Sequence, residues 1–424
     1  VNTTLKSKPL MRILYQPWII WFSGALFYAY ESVLQVSNGV MAHSLMHDFN
    51  ITAAQLSRMS ALYFFAYGII QIPIGLILDR VGVKKPLILA VMLCIIGTAV
   101  FSQATHFHVA GLGRLLIGLG SSFAALSCLQ LAALWFPASK FSLLTGLLLM
   151  IGMCGQLIGE TPLAFLIHQY SWRVIVEHFT WTGIGILAVI SVFVKDRTFK
   201  QLHSSRKTLR LTHQCSIVMR NPKSWCFACY AMLMYTPFLI FSSLWGVPFL
   251  MASTASSQLA AAQLLSWMLI GFAVGAPILG WCADHSKQKM KVLVYTTFSY
   301  LLTLCWILYY PTTHALINSA ALFLSGFFCS GFLPSFSMMK ELHPPTVRAT
   351  SLGFMNTLNM LGTWIVLPIV GILLDYTWHD TSTYGARTYT LEHYQFALSL
   401  CPMMIVLALV FLFIIQKGIS YESG

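Results

Sequence analysis

The sequence predicts an all-α membrane protein of twelve transmembrane helices, arranged as two six-helix bundles of the same orientation. Three observations carry that prediction: an apolar, charge-poor composition, a series of runs long enough to cross a bilayer, and a repeat that maps one half of the chain onto the other. Of 424 residues, 57% are hydrophobic and 9% charged, and the mean hydropathy is +0.74. A water-soluble chain carries about 25% charged residues, so most of this surface must meet lipid.

A hydrocarbon core of about 30 Å takes about 20 helical residues. Runs of that kind occupy approximately 18–40, 55–78, 86–104, 109–136, 141–168, 175–194, 224–251, 258–282, 290–310, 315–339, 349–374 and 394–416. The first is a full span rather than a cleaved signal peptide. With the N-terminus in the cytoplasm, all Lys and Arg except Arg58, Arg114, Arg173 and Arg387 fall on the cytoplasmic side. That follows the positive-inside rule, places both termini in the cytoplasm and fits a bacterial inner membrane. The formal net charge of +13 then lies beside anionic headgroups of membrane lipids, and no nucleic-acid partner is needed to explain it. The ten cysteines lie in spans or cytoplasmic segments, so no disulfide is expected. Cys226 and Cys229 form a C-x-x-C inside a span without a second pair, which reads as helix packing rather than a metal site. No paired loop motif of Cys, His and acid resembles a nucleophilic or metal centre, so no enzyme activity and no cofactor are expected.

The longest polar stretch, 195–223, sets eight Lys and Arg against one acid, Asp196. It divides the chain into a first bundle (1–194), a basic cytoplasmic linker (195–223) and a second bundle (224–424). The halves repeat. Gly75 and Asp79 align with Gly280 and Asp284; Gly146, Gly155, Pro162, Tyr170 and Trp172 align with Gly353, Gly362, Pro368, Tyr376 and Trp378; Trp18, Tyr28 and Gly39 align with Trp225, Tyr235 and Gly246, all at offsets of 205 to 207. Six spans is an even number, so the repeats share an orientation and a solute path would run between them.

After the second span the chain reads GLILDRVGVKK, with Gly75, Asp79, Arg80, Gly82, Lys84 and Lys85; after the eighth it reads GWCADHSKQK, with Gly280 and Asp284. The fourth span carries Arg114, Gly118 and Gly120. Over essentially the whole chain these features resemble the major facilitator superfamily, whose loop signature is G-x-x-x-D followed by basic residues and whose fourth span carries R-x-x-x-G-x-G. Val83 departs from the loop pattern, as does His285 after the second aspartate. The resemblance implies a major facilitator fold, and a conformational latch at these two loops. Asp79, at a helix end, would accept hydrogen bonds from a neighbouring helix N-terminus, where the dipole favours an anion. The glycine order of the fifth span lacks the G-P-x-x-G-G run of the family's drug antiporters, which favours import. The chain is also similar to the family's bacterial intraphagosomal amino-acid transporters.

Fold requirements act on both halves alike, whereas function can act on one. Three ionisable residues within spans lack partners in the repeat: Glu31 aligns with Phe238, Arg114 with Leu322 and Glu160 with Val366. Such charges cost at least ~2.5 kcal/mol each and face a cavity or a partner. Glu31 lies about 20 Å along its helix from Trp18, near the midplane, and Arg114 and Glu160 fall in the outer half. Arg114, planar and permanently charged, suits a carboxylate or another anion; Glu31 or Glu160 would bind an amine or carry a coupling proton. The alternative for Arg114 and Glu160 is a structural ion pair. Tyr28, Gln156, Tyr235, Asn356 and Asn359 would complete the site, with Gln35, Asn38, Tyr63 and Tyr67 among further cavity-lining candidates. One Arg with one or two acids suits a zwitterion, so the expectation is a monomeric secondary transporter for proton-coupled uptake of amino acids or small peptides. An organic-anion transporter, a metabolite or siderophore exporter and a transporter-fold nutrient sensor stay open beside it.

Overall fold

The computed structural model describes residues 10–196, 211–286, 289–310, 312–344, 346–378, 382–383 and 386–420. The apolar runs become helices because a backbone in hydrocarbon must satisfy its own N–H and C=O groups. In chain order the first half holds α1 (Leu10–Phe49), α2 (Ala53–Val81), α3 (Lys84–Ser102), α4 (Phe107–Ser121) continuing into α5 (Ala124–Trp135), α6 (Phe141–Gln169) and α7 (Trp172–Phe193). Within the segment expected as a polar linker, a short α8 (Leu211–Arg220) forms. The second half holds α9 (Pro222–Ile240), one π turn (Phe241–Trp245) and α10 (Gly246–Thr254), then α11 (Gln258–His285), α12 (Lys289–Tyr309), α13 (Ala315–Cys329) with α14 (Pro334–Leu342), and α15 (Arg348–Thr377). A two-residue ladder, β1 (Ser382–Thr383) on β2 (Ala386–Arg387), precedes α16 (Leu391–Leu398) and α17 (Leu400–Ser420).

Among the described residues, eleven of these rods are long and apolar enough to cross a membrane. The expected span at about 55–78 coincides with α2, a helix of 29 residues whose side chains at 76 and 79 lie outside the description. Phe22, Leu143, Trp181, Tyr295, Leu316 and Met403 all stand exposed, an apolar jacket suited to lipid rather than to water.

Helix starts follow the local chemistry. Thr52 and Gln55 form a capping box on α2, Ser171 and Ser257 accept from the third residue beyond them on α7 and α11, and Asn221 caps α9 with Pro222 at its first position. These side chains satisfy the N–H groups that open a helix. Both halves break the same rod in the same place, α4/α5 at Ser122–Phe123 and α13/α14 at Ser330–Leu333. They differ at the π turn, whose repeat counterpart, Leu34–Asn38, is an unbroken part of α1.

Small residues let the rods touch, as packing in lipid requires. A Cβ at Gly118 would lie 2.3 Å from Tyr63 O and one at Gly120 2.3 Å from Ala90 O, so these two glycines of the fourth-span motif serve helix contact. Gly155 meets Ala29 O at 2.4 Å.

The halves meet along α2 against α15, α6 against α11, and α1 against the π turn and α10. The α2–α15 seam is a wedge. A Cβ at Gly371 would stand 2.4 Å from Ser57 Oγ, one at Gly68 3.0 Å from Met360 Cβ, and one at Gly353 4.0 Å from Ile72 Cγ1. At Gly75 a Cβ meets nothing within 4 Å. The rods therefore close at the Ala53 end and part toward the end that carries Arg80, Lys84, Lys85 and Arg348.

Gly326 tests this packing most directly, since its Cβ would sit 1.9 Å from Met268 O. Gly326→Val should lower the thermal midpoint of the purified protein by the equivalent of about 1–3 kcal/mol or more. Gly146→Ala, where a Cβ meets nothing within 4 Å, should leave it unchanged or raise it slightly in the same thermal-shift assay, since alanine favours a helix interior.

Candidate functional site

Glu31 sits on the middle of α1 and is 3% exposed. Its Oε2 accepts a hydrogen bond from the Tyr63 hydroxyl of α2 at 2.9 Å. Arg114 of α4, 2% exposed, lies over the same Tyr63 ring with its guanidinium carbon 4.9 Å from the centroid. One guanidinium nitrogen of Arg114 donates to Leu34 O at 2.8 Å, and its Nε has no partner. Tyr63 thus stands between a carboxylate and a cation from two other helices. Gly118 permits this arrangement, because it lets α4 press against the Tyr63 backbone.

Around that centre, Gln156 Nε2 donates to Gln35 Oε1 at 3.0 Å, joining α6 to α1, and Gln156 Oε1 is left unpartnered. Asn38 Nδ2 donates to Ser60 Oγ at 2.9 Å, with its Oδ1 unpartnered. Tyr28, half-buried, packs its ring against Gly152. Tyr235 comes from the other half, stacked on Phe332 and Phe238 at centroid distances of 5.1 and 5.7 Å. Phe238, the repeat partner of Glu31, is part of this aromatic cluster. Asn359 of α15 is 1% exposed with an unpartnered Oδ1; Asn356, one turn away, is half-buried.

Glu160 does not form an ion pair with Arg114, the structural alternative to a shared site. It is fully enclosed, and neither of its carboxylate oxygens has a hydrogen-bond partner. The contacts of Arg114 go to Leu34 and Tyr63 instead. Glu160 follows Gln156 by one helical turn and shares its face of α6, and its neighbour Thr161 pairs with Ser266 across the α6–α11 seam at 2.9 Å.

At the loop after α2, the side chain of Asp79 lies outside the described residues. Gly82 adopts φ +87, a region that favours glycine. The carboxylate there is that of Asp196, whose Oδ1 accepts from Val83 N at 2.8 Å and Lys84 N at 3.0 Å. Lys84 Nζ reaches Ser191 O at 2.7 Å, while Arg80 and Lys85 are exposed. The Asp196 bonds join the first half to the start of the linker. In the second half Asp284 is exposed, a Cβ at Gly280 meets nothing within 4 Å, and Lys289 pairs with Glu341 at 2.6 Å.

The sequence reading missed a carboxylate at the opposite end. Asp375, on the last turns of α15, accepts from Ala53 N at 3.3 Å and Ala54 N at 3.0 Å, the opening N–H groups of α2. The Tyr389 hydroxyl donates to it at 2.6 Å and Arg387 at 3.3 Å. Burial and the Asp375 carboxylate hold the Tyr389 phenol above its ordinary range. The available signal was scarcity, since the chain has only twelve Asp and Glu and an acid at a span end needs a partner.

The description "Major Facilitator Superfamily" belongs to the family model that matches residues 20–362 and 226–421. An uncharacterised transporter of Bacillus subtilis is 30% identical over 140 residues, which is 33% of this chain and 32% of that relative. A lysosomal dipeptide transporter of Danio rerio is 20% identical over 421 residues, covering 95% of this chain and 87% of the relative. Among solved structures, a bacterial homologue of the human lysosomal transporter Spinster, in an inward-facing, unoccupied conformation, superposes with a TM-score of 0.74 at 15% identity, covering 97% of this chain and 98% of that one. Because the family model matches across both halves, this chain belongs to the Major Facilitator Superfamily.

Proposed function

We propose that the chain is a secondary transporter for a small zwitterion, an amino acid or short peptide, taken up with a proton. The observation that carries this reading is the Tyr63-bridged pair of Glu31 and Arg114, a buried carboxylate and a fixed cation that the second half does not repeat. Arg114 is held by Leu34 O and the Tyr63 ring, and its unpartnered Nε supplies a donor for a solute carboxylate. Glu31, one phenol away, faces the solute amine or takes the proton. Glu160 is the second proton carrier: a bare charge there would cost several kcal/mol. The dipeptide carried by the Danio rerio relative is a zwitterion and supports the substrate class.

In a bacterial inner membrane with both termini cytoplasmic, the basic end is the cytoplasmic end. The wedge then describes the inward-open stage of alternating access, with the outer end closed by Asp375. The loops at Gly75–Lys85 and Gly280–Asp284 would latch the opposite stage.

In proteoliposomes, an inward proton gradient should drive accumulation of labelled amino acids or dipeptides. Glu31→Gln should abolish gradient-driven accumulation while leaving solute exchange. Folded protein that accumulates none of these solutes would overturn the reading, and uptake of carboxylates without an amine would replace it with organic-anion transport. Arg114→Lys keeps the charge but loses the fork; it should raise KM about tenfold or more with kcat less affected, as measured by initial uptake rates.

A further inference from the structure

A cavity of about 280 Å³ lies between the halves at the closed end. It is separate from the site around Glu31. His43 on its wall stands twelve residues further along α1, about 18 Å along the helix axis. The π turn lies between the two, with Trp245 on the cavity wall and the backbone of Leu244 against Gly39, whose Cβ would be 3.3 Å from Leu244 N. The wall combines the aromatic side chains of Trp245, Tyr389 and Tyr394 with one fixed cation, Arg387.

Arg387 is poised between two tasks. Its guanidinium stacks over the Trp378 ring at 4.3 Å and donates to Asp375 at 3.3 Å. That contact is longer than the 2.7–2.9 Å typical of a charge-assisted bond, and a planar fork of five N–H donors has more capacity than it uses. The Arg387 side chain is 36% exposed and that of Asp375 17%, so the cation is the reachable member of the pair. Asp375 in turn holds the two halves together through Ala53 N and Ala54 N.

We propose that this cavity is a binding subsite for a small carboxylate with an aromatic or apolar body, seated on Arg387 and the aromatic wall. The subsite lies at the mouth opposite the basic segments, where an arriving solute first meets the closed seam. The proposal does not depend on which solute the central site carries, and its readout needs no transport.

Benzoate and its neutral isostere benzamide are the probes, titrated calorimetrically against the full chain in lipid nanodiscs. Benzoate should bind and benzamide should not. Arg387→Gln should weaken benzoate about tenfold or more, Arg387→Lys should retain part of the binding, and Arg114→Gln should leave it intact. Equal binding of benzamide, unchanged benzoate affinity in Arg387→Gln, or loss of binding in Arg114→Gln would overturn the subsite.

Discussion

In hydrocarbon no water is available to satisfy a polar group, and the rest of this structure follows from that constraint. The backbone answers it with helices. The buried side chains answer it with one another: Glu31 takes the Tyr63 hydroxyl, Arg114 takes Leu34 O, Gln156 takes Gln35 and Asn38 takes Ser60. Atoms left over on Arg114, Gln156, Asn38, Asn359 and Glu160 come from both halves. Buried polar groups without partners are expensive, so each of these is a place where a polar solute, a water or a proton would be accommodated.

One helix connects the ends of the molecule to that centre. The first N–H groups of α2 are capped by Asp375 of the other half, its Tyr63 carries the hydrogen bond and ring contact of the site, and its last turn leads into the Gly82 loop clamped by Asp196. A Cβ at Gly371, Gly68 and Gly353 would stand 2.4, 3.0 and 4.0 Å from the nearest atom of the facing helix, and one at Gly75 would meet nothing within 4 Å.

The two halves share a plan yet differ at one level. Where α1 continues through Leu34–Asn38, supplying the carbonyl for Arg114, the second half inserts the π turn at Phe241–Trp245. Pro237, just before that turn, lacks the N–H that would continue the ordinary ladder. The first half spends this level on polar chemistry, and the second spends it on an aromatic plug of Phe238, Phe272 and Phe332 around Tyr235.

Composition, run length and the repeat determined the membrane helices and the bundle class, because hydrophobicity and helical rise are local properties read one segment at a time. The absence of Glu31, Arg114 and Glu160 from the repeat likewise singled out the buried charges. Partners were decided only by tertiary structure. Arg114 and Glu160 sit on neighbouring spans in sequence, yet the close approach at Gly118 brings Arg114 to Tyr63 and Glu31 and leaves the Glu160 carboxylate without a partner. Asp196 and Asp375 were two acids among polar or terminal residues until the fold placed each on the N-terminus of a helix distant in sequence. Contacts of that kind depend on how rods cross and where glycine lets them meet, and no single stretch of the chain encodes them.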